Sequence, residues 1–198
     1  RWNLSRFAET LLSLINETAP DRAPAEATDV INGFMPRYQA VWLSGARAKL
    51  GLAIASDDVE EDSLLAQDWL DLLDQHDVDF TLGWRRLADA AEGNPELLEA
   101  LFPSVDALRP WLERWRRRLA QQPGSATAEA MRAVNPIYIP RNHLLEDIID
   151  SAVNNNDFKK MKVLLNVIKK PFSEEKDYSK FSSPPKTEEI IDHTFCGT

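Results

Sequence analysis

The chain holds one cysteine, Cys196, third from the end of its 198 residues, and three histidines, His76, His143 and His193. Only His193 lies near the cysteine. The pair His193-x-x-Cys196 offers two soft ligands, fewer than a structural zinc needs, so it would hold a metal only if another chain completed the site. It also lacks the orienting third group and the oxyanion donors that Cys–His nucleophilic catalysis requires. Glu188, Glu189 and Asp192 lie close by and favour the protonated thiol, near its ordinary pKa of about 8.5. A lone cysteine excludes an internal disulfide framework and fits a reducing compartment.

Nucleotide chemistry has no visible cradle. The glycines, at 33, 45, 51, 83, 93, 124 and 197, never fall two apart, so no kinase-type or dinucleotide-type loop can be built, and Gly-x-x-x-x-Gly-Lys is absent. Asp79-Phe80-Thr81 approaches a kinase metal-binding triplet but lacks the glycine, and it reads as the start of a helix with Thr81 near the cap. The acidic run Ser56–Asp62 lacks the alternating oxygen ligands, central Gly and final Glu of a calcium loop. It reads instead as the negative first turn of a helix, facing the positive end of the dipole. In Trp111-Leu-Glu-Arg-Trp-Arg-Arg-Arg-Leu119 the tryptophans, four apart, are expected to face a core while Arg114, Arg117 and Arg118 form a solvated basic face. Stacking on single-stranded nucleic acid is the alternative for such a helix, and the overall charge disfavours it.

That charge is −9, and a phosphate backbone rewards clustered Lys and Arg, so nucleic acid is not expected as a partner. No apolar run reaches the roughly eighteen residues of a membrane helix, and the N-terminus has no signal-type leader, which predicts a cytoplasmic protein without membrane attachment. A start at Arg1, already inside an amphipathic pattern, suggests a piece of a longer chain. Basic usage changes along the sequence: residues 1–134 hold 13 Arg and one Lys, residues 135–198 one Arg and eight Lys. The change suggests a boundary near 134 or a join of two sources.

The elements that must position these groups read as helices almost throughout. Trp2, Leu4, Phe7, Leu11, Leu12, Leu14 and Ile15 make one stripe, closed by Pro20. A second helix is expected over 25–50, kinked or split by Pro36. Further helices are expected after the acidic run, at 81–91, 95–101, 111–119 and 127–133. Asn135-Pro136 and Ile139-Pro140 push their pre-proline residues toward extended geometry, giving a strap. Beyond it, helices at 141–153 and 158–168 form a hairpin broken at Asn154–Asp157 and closed by Pro171. No second copy at a fixed period makes this a repeat. From Ser173 the polar chain is expected to run along the surface without adding to a core. The fold class is therefore all-α: an irregular multi-helix bundle with an extended strap near 135–140, a helical hairpin and a polar tail. Its expected divisions are 1–134, 135–172 and 173–198.

Trp2-Asn3-Leu4-x-Arg6-x-Ala8-x-x-Leu11, Arg47-x-Lys49-Leu50-Gly51-Leu52, Val78-Asp79-Phe80-Thr81, the strap segment Met131–Asn142 and the terminal Cys196 occur in the order seen in selenoprotein O, and the chain resembles the C-terminal region of that family. Pro140 and the ending Cys-Gly-Thr depart from the usual family pattern. The resemblance implies a parent with a kinase-like core that uses ATP and Mg2+ to transfer AMP to protein hydroxyls. The nucleotide and metal residues of that core would precede Trp2, so none is carried onto this chain, which by itself is assigned no catalytic residue, cofactor or metal. The implied partners are the upstream core and the parent's protein substrates, and the implied role is to support or regulate that core. By the same resemblance Cys196 takes a redox role, while Asn135, Tyr138, Arg141 and Asn142 are structural or core-contacting. Because the extended strap there enters a helix, Asn142 is expected to cap it and Arg141 to pair with an acidic group of the preceding helices or of the upstream core, the alternative being a solvated first-turn arginine. The alternative is a freestanding helical protein-interaction module.

Overall fold

Apolar residues spaced three and four apart become helix along most of the chain, and no strand occurs among the described residues, which are 1–53, 59–122 and 127–191 of a computed structural model. The backbone divides into two compact units, Arg1–Ala46 and Arg47–Thr198, with the boundary inside one helix.

The first unit contains α1 (Trp2–Ile15), α2 (Ala23–Asn32) and the first three turns of α3 (Phe34–Leu50). Asn16 ends α1 in extended geometry; its Oδ1 accepts from the Ala19 amide at 2.8 Å and its Nδ2 donates to Glu26 at 3.0 Å, turning the chain into α2. The helix expected over 25–50 is split at Gly33. Pro36 falls in the first turn of α3, where its missing amide costs no intrahelical bond.

The second unit holds the end of α3, then α4 (Val59–Gln75), α5 (Phe80–Ala91), α6 (Glu96–Glu99), α7 (Val105–Leu119) and α8 (Thr127–Val134), followed by the strap, α9 (Asn142–Asn155), α10 (Lys159–Ile168) and α11 (Ser179–Ser182). Helix α7 begins earlier than Trp111. Ser104 accepts from the Asp106 amide at 3.2 Å and caps it, Leu108 is buried in its first half, and Pro110 sits inside. Trp69, fully buried on α4, is the hub of the main core: its ring lies 4.3 Å from Trp111, 6.1 Å from Phe102 and 6.2 Å from Trp84. Trp111 and Trp115 stack at 5.8 Å, and their indole nitrogens donate to the carbonyls of Leu65 (3.0 Å) and Leu50 (2.9 Å). Such pairing satisfies the polar edge of a buried indole.

A second cluster joins Leu82, Ile137, Tyr138, Ile148, Leu164, Val167 and Phe181, so the strap, the α9–α10 hairpin, one face of α5 and the tail share a core. Asn156 adopts the left-handed conformation at φ 50° and terminates α9. The tail departs from its surface-only expectation: Phe181 is buried and Tyr178 packs against the cluster. Two aromatic side chains in a polar stretch supply enough apolar area to dock it.

Candidate functional site

The strap is where the motifs of the sequence meet. Its first residue, Asn135, is fully buried with each polar group engaged. Its amide donates to Met131 O at 2.9 Å and ends α8. The side-chain Nδ2 donates to Lys49 O at 3.0 Å, Oδ1 accepts from Lys49 Nζ at 3.1 Å, and the carbonyl accepts from Arg85 at 3.0 Å. Asparagine suits the position because its amide answers a carbonyl and an ammonium at once. Lys49 also donates to Val134 O at 3.2 Å and lies 5.6 Å from the Trp84 ring centroid; burial lowers the pKa of its ammonium.

Pro136 and Pro140 push the residues before them toward extended geometry, so the amides of the strap need partners outside a helix. The amides of Ile137 and Tyr138 both donate to Pro171 O, at 2.8 and 3.2 Å, which ties the strap to the end of the hairpin. The Tyr138 hydroxyl accepts from the Glu175 amide at 2.9 Å and donates to the Glu175 carbonyl at 3.1 Å. The adjacent Glu174 makes a two-pronged bond to Arg86 of α5, at 2.7 and 3.1 Å. Arg86 also reaches Asp89 at 3.2 Å, and Arg132 of α8 holds Asp89 at 2.8 Å and Glu92 at 2.6 Å, so a chain of charges staples α5, α8 and the tail.

At the far end of the strap, Arg141 is buried and grips Asp79 through both guanidinium arms, at 2.6 and 3.0 Å. Asp79 is also the N-cap of α5, accepting from the Leu82 amide at 2.8 Å. Burial alone would raise its carboxyl, but the hydrogen bonds and charge of Arg141, with the Leu82 and Thr81 amides, hold it below the usual carboxylate value. The cap is thus Asp79, two residues before Thr81. At α9 the N-cap position falls on Arg141, with no side-chain capping bond, and Asn142 is the first helical residue.

Spacing alone missed a second buried charge site. Asp62, in the first turn of α4, is fully buried: it accepts from Arg118 at 2.8 and 3.3 Å and from Arg47 at 2.6 Å. Arg118 is therefore a core residue at the end of α7, not part of a solvated basic face, because Asp62 compensates its charge. The signal was available only as an acidic first turn and a basic last turn, which also complement the two helix dipoles.

These groups do not fit Mg2+-ATP. No three His, Cys, Asp or Glu side chains gather among the described residues, and the carboxylates of buried Asp62 and half-buried Asp79 are already held by arginines. Cys196, His193 and residues 56–58 of the acidic run lie outside the described residues.

Residues 1–169 match the family described as Protein adenylyltransferase SelO. The chain belongs to this family. Over its full length it is 47% identical to Protein nucleotidyltransferase YdiU of Chromobacterium violaceum, of which it covers 41%, and 44% identical to the Rhizobium etli protein of the same name, of which it covers 40%. The Rhodopseudomonas palustris relative is 42% identical, again with 40% of its length covered. The chain thus spans about two fifths of these relatives. Its described residues are helical without strands, and three of the motifs that resembled the family, Arg47–Leu52, Val78–Thr81 and the strap segment Met131–Asn142, converge in its second unit. Arg47 and Lys49 reach Asp62 and Asn135, Leu50 and Leu52 are buried in the core, and Asp79 meets Arg141. No described helix is long and apolar enough to cross a membrane.

Proposed function

We propose that this chain is the helical support of a SelO-type parent that transfers AMP from ATP to Ser, Thr or Tyr hydroxyls of other proteins. The observation that carries the reading is the family match over residues 1–169. The parent's core binds ATP and Mg2+, and the helical part holds that core in working geometry. Charge-stapled helices and a doubly anchored strap favour a rigid scaffold over a moving part. The test is ATP labelled at the α-phosphate, incubated with Mg2+ and a protein acceptor. The intact parent is expected to leave label on the acceptor and the 198-residue chain none. Labelling by the chain alone, or none by the parent, overturns the reading.

Redox control through Cys196 belongs to the same proposal. Mild peroxide oxidation is expected to join Cys196 to a second thiol of the parent, two electrons and two protons passing to the peroxide, with a change in AMP transfer. Mass spectrometry of the oxidised parent checks it. A free Cys196 thiol, with Cys196→Ser leaving the oxidant response unchanged, removes the redox role.

A further inference from the structure

The first unit leaves several large apolar side chains in water. Helix α1 carries an apolar stripe yet buries none of its residues. It meets α2 through Ser5, Ala8 and Leu12, which line a groove of about 370 Å³ with Ala27, Thr28 and Ile31. Other apolar residues of the helix stay open: Phe7 is 62% and Leu14 68% exposed on one face, and Trp2 in the first turn is 73% exposed. Helix α3 repeats the pattern. Leu43 and Ala46 are buried on one side, while Phe34, Tyr38 and Val41, spaced four and three apart, form a second stripe on the other. Phe34 and Tyr38 stack at 6.1 Å, and Val41 is 74% exposed. A helix apolar on two sides is normally buried on both.

Charge narrows the choice of occupant. Residues 1–46 contain five acidic and four basic side chains, so of the chain's net −9 this unit holds only −1. A near-neutral surface rich in aromatics has the composition of a protein–protein interface core. Its four arginines are outnumbered by five carboxylates, so it carries no net positive charge to draw it onto an anionic membrane. More than half of each relative's length lies outside the stretch matched by this chain, which supplies a partner always present at high effective concentration.

We infer that the α1 stripe and the Phe34–Tyr38–Val41 face of α3 are the seat of the remainder of the parent polypeptide, packed in cis as a hydrophobic interface. This rests on the proposed support function and places its contact surface.

Hydroxyl-radical footprinting of the intact parent tests it, with each oxidation rate compared with that of the same side chain in a free peptide. Burial predicts that Trp2, Phe7 and Tyr38 react at least about tenfold more slowly than in the peptide, independently of protein concentration, in a parent that sediments as a monomer. Rates within about twofold of the peptide values would show the faces open and overturn the inference. Protection that appears only as the parent dimerises would assign the faces to a second copy and also overturn it. AMP transfer, measured on the same sample, fails or succeeds separately, so a working enzyme with open faces removes this inference alone, and protected faces in an inactive parent remove the function alone.

Discussion

Asp62 is a carboxylate shared by two arginines from different helices, Arg47 and Arg118, in a site closed to water. Taking away one member of such a group leaves buried positive charge poorly compensated, so Asp62→Asn should lower stability by about 3 kcal/mol, read from urea midpoints. The Asp79–Arg141 pair is less enclosed and makes a pH-dependent contribution. Because the folded carboxyl has a lowered pKa, its stabilisation is fully present above the ordinary value of 3.8 and is lost as pH falls through that value toward the folded one. Asp79→Asn should therefore destabilise the protein at pH 7, and its deficit against the native chain should shrink steadily below about pH 4. A deficit constant from pH 7 to pH 3 would show that the charge is not what Arg141 recognises. Of these residues, Arg141 was legible as a candidate ion-pair member because it stands where an extended strap enters a helix, although a solvated first-turn arginine fitted the same spacing. Asp62 was not, because its partner Arg118 lies 56 positions away and only folding brings the two together.

Among the elements, the end of α3 shows how a short motif encodes a junction. Gly51 takes φ 77°, a conformation open to glycine at little cost, and lets the Leu52 amide return to Arg47 O at 2.8 Å. A Cβ there would come within 2.6 Å of Thr127 and 2.8 Å of the Met131 sulfur, both on α8. Gly51→Ala should cost about 2 kcal/mol or more, combining left-handed strain with that collision, and the fall in melting temperature measures it. Helix positions were legible because the apolar period persists through each element, and the strap because two prolines forbid any alternative. The junctions were less so. Pro36 marked the split in the long second helix, but the break fell at Gly33, since a proline is accommodated in a first turn. The two-sided apolar pattern of α3 was readable as one helix, whereas which side stays open depends on tertiary packing that spacing does not report.

For the molecule as a whole, the second unit is closed by its own last turns. Glu174 reaches Arg86 across 88 residues, Glu175 clasps Tyr138, and Phe181 enters the strap core. A chain cut after Phe172 loses all three. It should bind a dye for exposed apolar surface and melt earlier than the full chain, although every long helix remains. Equal melting of the two would show the tail to be an ornament on a core complete without it. The tail's contribution was hidden in the sequence because its apolar residues are few and set among charges, and local composition there reports solubility more strongly than docking.

Pro171 has a consequence for synthesis. Its carbonyl is the acceptor for the amides of Ile137 and Tyr138, and the next contacts of the strap come from residues 174–181. A ribosome releases a chain from its N-terminal end, so the strap emerges before the Pro171 carbonyl and the tail that close over it. Until residues 174–181 leave the exit tunnel, Ile137 and the Tyr138 ring stand open and Arg86 lacks its Glu174 partner. The second unit therefore locks only once residues 174–181 have been made, and a chain that stops before them presents this unfilled seam to the proteases and chaperones of the cell.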